Sequence, residues 1–298
     1  MSGILNAFLS INASIASNIL KFGYVSGGTA DNAGLSVNTY RKFSFTAETI
    51  STPSAVLSAA KELIGGFSNS GVAGYTVGQS ASSDKLNFTT DTNSSLTSQL
   101  STGSDLKGCA DTATKGYIFG QSLVVRVAFP TDTNSTLAST PWGRLAGAAL
   151  QNKSTAVYFA GGNFDTPINK ITLPSETPST LASVLPSSFY LGGQASNDGV
   201  AGYTIGGDGS TGNANKILYS TETLSSLPSI LTLIVERFGN MDNRGVASYN
   251  AGGTIISTGL DTNVIRKLSF TTDTGSAVTA TLTLALRNPA SFSNNGVY

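Results

Sequence analysis

At intervals of 41 to 51 residues, this chain of 298 residues repeats six times a short segment in which a tyrosine is followed three residues later by glycine. The copies are Gly23-Tyr24-Val25-Ser26-Gly27, Gly74-Tyr75-Thr76-Val77-Gly78 and Gly116-Tyr117-Ile118-Phe119-Gly120, then Val157-Tyr158-Phe159-Ala160-Gly161, Gly202-Tyr203-Thr204-Ile205-Gly206 and Ser248-Tyr249-Asn250-Ala251-Gly252. Successive tyrosines stand 51, 42, 41, 45 and 46 residues apart, and Tyr298 lies 49 beyond Tyr249, where a seventh copy would begin. A unit of about 46 residues is too short to bury a core alone, so such a chain folds by packing each unit on the next. The repeat therefore specifies a scaffold, and function has to be argued from what is placed on it.

Each copy is a short apolar run that meets glycine, which reads as a strand ending in a turn. A second signal follows in every unit: Arg41-Lys42-Phe43-Ser44-Phe45, Asp84-Lys85-Leu86-Asn87-Phe88, Val125-Arg126-Val127-Ala128-Phe129, Asn169-Lys170-Ile171-Thr172-Leu173, Asn215-Lys216-Ile217-Leu218-Tyr219 and Arg266-Lys267-Leu268-Ser269-Phe270. Its apolar residues alternate, so one face is buried and the invariant Lys or Arg lies on the other. Six residues after that cation stands an acid followed by threonine: Glu48, Asp91, Asp132, Glu176, Glu222 and Asp273. An acid in a Ser/Thr-rich link reads as a turn residue that accepts local N–H groups. Leu96, Leu137, Leu181, Leu227 and Val278 then mark a third, outermost strand, and Asn-x-Gly turns such as Asn69-Ser70-Gly71 and Asn197-Asp198-Gly199 lead into the next tyrosine. Three or four short strands per unit without helical periodicity predict an all-β, six-bladed propeller. The blades begin near residues 23, 74, 116, 157, 202 and 248. The C-terminal lead-in, residues 290–298, supplies a strand to the first blade, so that no edge is left open there.

Charge narrows the partners. The 17 basic and 17 acidic residues cancel, and together they are only 11% of the chain. That leaves no basic footprint for nucleic acid and no polybasic stretch for anionic lipid. No run approaches the ~20 apolar residues of a membrane span. There is no histidine, which removes the commonest general base and metal ligand and with them any Ser-His-Asp site. The single cysteine, Cys109, reads as a small buried apolar residue. No catalytic residue, metal or cofactor is expected, and acids outside the repeated turns form no cluster along the sequence.

The repeated charges could be six equivalent ligand sites for sulfate or sugar. Their presence in every unit, regardless of loop variation, favours ion pairs that fix the scaffold, within a blade or between neighbours. The tyrosines likewise read as core residues with a satisfied hydroxyl rather than a stacking surface, and the glycines as turns with positive φ rather than phosphate loops. Trp142, the only tryptophan, stands near Arg144 in an irregular segment, and the two are candidate contact residues. Residues 103–115 and 151–155 are expected to be exposed variable loops that meet a partner. Residues 1–22 lie outside the repeat as an N-terminal arm, with a helix over residues 4–19 as one reading. Its apolar residues, among them Ile4, Phe8 and Leu9, are the expected docking surface.

The strand ending in Tyr-x-x-Gly-Gly, the alternating strand and the acidic turn together resemble kelch-type repeats over residues 23–298. The units depart from kelch in lacking a tryptophan after the acidic turn and in having Gln79 and Gln121 at the second glycine. The Lys-x-x-Phe, Thr-Asp-Thr and Asn-x-Gly-Val-Ala-Gly-Tyr variants are similar to kelch-like repeats in bacteriophage virion proteins, those of cyanophages in particular. That resemblance implies a non-enzymatic structural protein of a virion: a tail, fibre or capsid component, homo-oligomeric, held to other virion proteins by the arm and contacting the host surface. The alternative is a carbohydrate-binding propeller that takes a host-surface glycan.

Overall fold

A computed structural model describes residues 21–78, 82–96, 100, 103–111, 113–120, 123–137, 144–208, 213–227, 231 and 235–295. Among them every regular element is a β-strand. The expected arm contacts Ile4, Phe8 and Leu9, the helix over 4–19, and Trp142 lie outside the described residues.

Most strands fall into six consecutive antiparallel sheets that share one internal order; the first sheet also takes in Thr29–Ala30, Val56–Lys61 and Leu286–Arg287, and a small seventh sheet pairs Val235–Glu236, Thr254–Ile255 and Leu260–Asp261. Each of the six has an inner strand, the tyrosine strand, the basic strand and an outer strand. In the second sheet these are Gly65–Asn69, Ala73–Val77, Ser83–Asn87 and Thr92–Leu96. The third runs Lys107–Ala110, Lys115–Phe119, Val124–Ala128 and Thr133–Thr136, and the fourth Ala148–Asn152, Ala156–Ala160, Asp165–Thr172 and Thr177–Phe189. The fifth runs Gly193–Asn197, Ala201–Ile205, Ala214–Leu218 and Thr223–Leu227, and the sixth Gly239–Asn243, Ala247–Ala251, Val264–Ser269 and Thr274–Thr281. The first sheet takes its inner strand, Ala290–Ser293, from the far end of the chain. That strand pairs with Phe22–Ser26, which pairs in turn with Leu35–Ser44. Contacts between inner strands run in order from the first sheet to the sixth, and Gly239–Asn243 of the sixth touches Ala290–Ser293 of the first.

The inner strand carries little alternating apolar signal, because its second and fourth residues face neighbouring inner strands. Side chains there bond the adjoining backbone: Ala149 N–H donates to Gln194 Oε1 (2.7 Å), Gln194 N–H to Asn240 Oδ1 (3.0 Å) and Asn240 N–H to Ser291 Oγ (2.7 Å). One level along, Gln151 N–H reaches Ser196 Oγ (3.0 Å), Ser196 N–H reaches Asp242 Oδ2 (2.7 Å) and Asp242 N–H reaches Ser293 Oγ (2.9 Å). An edge strand with buried N–H groups needs such partners. Residues 107–110 and 151–152 belong to inner strands, with Cys109 and Gln151 fully buried, so of the expected variable loops 103–115 and 151–155 only parts are exposed among the described residues: Gly103, Ala113 and Thr114 in the first and Lys153, Ser154 and Thr155 in the second.

The third residue of each inner strand explains the residue before each tyrosine. A Cβ on Gly74 would overlap the ring of Phe292 from the first sheet, and one on Gly116 would overlap Phe67 from the second. A Cβ on Gly202 would stand 2.7 Å from Leu150. Where the third residue is small, the position is not glycine: Cys109 shares a core cluster with Val157, and Ala195 stands in the place that answers to Ser248. Where the third residue is bulky a glycine faces it, and where it is small a larger residue than glycine takes that place, so the side chains fill the boundary between sheets.

The repeated charges join neighbouring sheets. Lys42 of the first sheet reaches Asp91 of the second (2.5 Å), Lys85 reaches Asp132 (2.8 Å), Arg126 reaches Glu176 (2.6 Å) and Lys170 reaches Glu222 (2.5 Å). Lys216 reaches Asp273 (2.6 Å), and Lys267 of the sixth sheet reaches Glu48 of the first (2.6 Å). Each acid also accepts the tyrosine hydroxyl of the preceding sheet, from Tyr24 to Asp91 (3.0 Å) round to Tyr249 to Glu48 (2.8 Å). The acids therefore clamp the previous unit, which is the between-neighbours form of the expected ion pair, and their carboxylates reach beyond the turns in which they sit. All six hold φ between 49° and 56°, which turns the carboxylate outward to its neighbour. The flanking threonines bond each other across the turn, as in Thr90–Thr92 and Thr272–Thr274 (both 2.7 Å). The hydrogen bond from Lys267 holds Glu48 below its ordinary range. Burial works to raise Glu176, but Lys115, Arg126 and Tyr117 outweigh it and hold it low.

Candidate functional site

The links that lead from one outer strand to the next inner strand all end alike. Two residues before each inner strand the chain takes positive φ: Leu63 (54°), Asp105 (53°), Ala146 (57°), Leu191 (56°), Arg237 (60°) and Asn288 (52°). Asp and Asn tolerate this conformation, but Leu, Ala and Arg adopt it only when the surroundings impose it. Here the surroundings are one another. Ala146 N–H donates to Asp105 O (3.1 Å), Leu191 N–H to Ala146 O (2.9 Å), Arg237 N–H to Leu191 O (2.7 Å) and Asn288 N–H to Arg237 O (2.7 Å). All six residues line one cavity at this end of the molecule.

Above it opens a cup of about 320 Å³ walled by Glu62, Asp105, Tyr190, Arg237, Arg287 and Asn288, with Leu63 and Leu191 between them. At its foot Lys107 crosses from the third sheet to the fifth, its Nζ 3.4 Å from Gly192 O, while Gln194 Nε2 bonds Gly108 O in return (3.1 Å). Burial raises Asp105, against the pull of Lys107 and Arg237, and Glu62 adds to the rise. Burial lowers Lys107, with Asp105 opposing. Burial also raises Glu236, which pairs with Arg237 at 3.3 Å. Phe164, exposed, packs on Tyr190 with ring centroids 4.4 Å apart and 32° between planes. Arg144 stands near this wall, paired with Asp165 (3.1 Å), and the Leu145 N–H bonds Asn163 Oδ1 (3.0 Å).

The cup thus gathers two guanidinium groups, two carboxylates, an amide and a phenol beside an exposed aromatic ring. Such a set recognises a polar ligand by several planar hydrogen-bonding groups at once. Of the contact residues expected from sequence, Arg144 is near this end. Two of the acids outside the repeated turns, Glu62 and Asp105, far apart in sequence, are brought together here by the fold. Sequence reading missed Glu62, Asp105, Arg237 and Arg287. Their one signal was that they remain when the repeated charges are set aside, each just before an inner strand. Cys109 is buried, and burial pushes its thiol well up, with Asp111 adding to the rise.

No protein-family profile matches the chain, and no curated protein is detectably similar to it.

Proposed function

We propose that the six sheets are the blades of a closed kelch-like β-propeller, and that the protein is a non-enzymatic interaction scaffold of a virion, a tail, fibre or capsid component. The observation that carries the scaffold reading is the uninterrupted circuit of clamps. The repeated cations, acids and tyrosines all join one unit to the next, which leaves the axial cup as the place where chemistry is free to vary. A rigid disc with one variable mouth suits display to a partner. The virion assignment rests on the kelch-like repeats of phage type and on the low charge, and it places residues 1–22 against other virion proteins.

Two measurements test this. Proteomics of gradient-purified particles finds the protein at a fixed copy number per virion; its absence from particles ends the virion reading. A triple variant, Asp105→Ala, Arg237→Ala and Arg287→Ala, keeps the melting temperature within a few degrees and loses binding to the partner surface. Retained binding moves the contact elsewhere.

The exposed Phe164 on Tyr190 at the cup favours one alternative, a carbohydrate ligand. Aromatic faces beside Asp, Asn and Arg are suited to sugar rings and hydroxyls. Glycan-array binding that Phe164→Ala abolishes supports this ligand, and an array with no signal removes it.

A further inference from the structure

One cross-strand row in each sheet faces the preceding sheet, and its polar residues are satisfied in different ways. In the second sheet Asp84 takes the buried Lys61 together with Ser58 N–H (2.8 Å) and Asn93 Nδ2 (2.8 Å). In the fifth, Asn215 donates to Thr204 (3.2 Å) and accepts from Ser226 (3.1 Å). In the first, Arg41 donates from Nε to Thr283 (3.1 Å) while its Nη1 has no partner, and burial lowers its pKa with Asp31 opposing.

The sixth sheet differs. Its row is Asn240, Asn250 and Arg266, opposite one another in register. Leu268 and Phe270, on the same face of the same strand, pack with Tyr203 and Ile205 of the fifth sheet. Arg266 is 1% exposed and Asn250 fully buried. Arg266 Nη1 reaches Gly252 O at 3.4 Å, and Asn240 Nδ2 bonds Asn250 Oδ1. Three nitrogens are left without an acceptor: Arg266 Nε, Arg266 Nη2 and Asn250 Nδ2. Nε and Nη2 form the side-on edge of the guanidinium, the fork that binds an anion through two parallel hydrogen bonds. No carboxylate supports the charge: burial alone lowers the Arg266 pKa, to about 10. A buried cation whose cross-strand neighbour Asn250 also presents an unpartnered donor is costly unless a negative charge completes it.

We propose that Arg266 and Asn250 hold a small monovalent anion, a halide or a small carboxylate or nitrate, in the wall between the fifth and sixth sheets. Bound there, the anion stabilises the folded state by mass action.

Two experiments on the full chain test the site. In crystals soaked in bromide, an anomalous peak is expected within hydrogen-bond reach of Arg266 Nε and Nη2; its absence there overturns the site for halides. In solution the melting temperature is followed at constant ionic strength as gluconate, too bulky for the site, is replaced by chloride, bromide, nitrate or acetate. A rise that follows the logarithm of one anion's concentration is expected, and the anion giving it separates halide from oxyanion. Arg266→Met is expected to lose that rise and to melt no lower than wild type in gluconate. Equal melting in all five anions, or an unchanged rise in Arg266→Met, overturns the proposal. Should Arg266→Met not fold, the wild-type series and the bromide map decide it.

Discussion

Asp273 shows what a repeated acid does. It accepts from the buried Tyr203 hydroxyl (2.8 Å) and from Lys216 (2.6 Å), both in the sheet before it. Removing the cation loses one partly exposed ion pair, so Lys216→Ala is expected to cost about 0–1 kcal/mol in urea unfolding. Removing the acid leaves a buried hydroxyl without an acceptor and puts alanine at positive φ, so Asp273→Ala is expected to cost about 1–3 kcal/mol. Equal losses would mean that the ion pair, and not the tyrosine bond, carries the clamp. Asp242 supplies a second test at this scale. Burial raises its pKa from 3.8 to about 8, with Ser248 and the Ser196 N–H pulling the other way. The folded state then keeps a proton that the unfolded state releases as pH rises above 3.8. By linkage this lowers stability from pH 4 up to about 8, beyond which the effect is complete. Asp242→Asn mimics the protonated form, so its stability relative to wild type is expected to be greater at pH 8 than at pH 5. Chemical denaturation at the two values reads this directly, and a pH-independent difference would place the Asp242 carboxylate in its charged form at both.

Between elements, the decisive contact is the third inner-strand residue against the residue before the next tyrosine. Gly74 is the sharpest case because a Cβ there overlaps the ring of Phe292. Gly74→Ala is expected to cost about 1–3 kcal/mol by overpacking. In a Phe292→Leu background the same change should cost less than half as much, a coupling that a double-mutant cycle measures. Additive effects would show that the two sheets adjust without contact. The glycine was conspicuous in sequence as part of the repeat. Its reason was not, because the clashing residue lies in another unit, and the inner strand that carries it, such as Gly-Gly-Phe-Ser-Asn at 65–69, has no apolar alternation to announce a strand.

For the whole molecule, the telling feature is that Ala290–Ser293 pairs with Phe22–Ser26 while touching the inner strands of the second and sixth sheets. Phe292 stacks with Tyr24 (5.7 Å between centroids) and packs near Phe88 (6.0 Å). Deleting residues 290–298 removes this strand and bares both the edge of the first sheet and the Tyr24 ring. The truncated chain is expected to aggregate or to lose its single cooperative melting transition, as read by size-exclusion chromatography and circular dichroism. A truncated chain that stays monomeric and melts at the wild-type temperature would show that the two ends are not needed to hold the sheets together.

The tyrosine, basic and outer strands were legible from the sequence, because each carries its own local signal: apolar alternation with period two, an invariant cation on the opposite face, and a turn before or after. The cation and acid could be paired in principle, but which sheet supplied each was open, since a spacing of six along the chain says nothing about a neighbour about 50 residues away. Only the folded chain decided that the acids reach backward to the preceding unit, that glycine answers a bulky residue across a boundary, and that six strained link residues converge on one mouth. It also decided that Glu62, Asp105, Arg237 and Arg287 share a cup and that Arg266 is left buried without a counter-charge. Local strand pattern is a property of a few consecutive residues and is written in their order. Proximity between units is set by packing and by closing contacts over long separations, and no short stretch of sequence contains it.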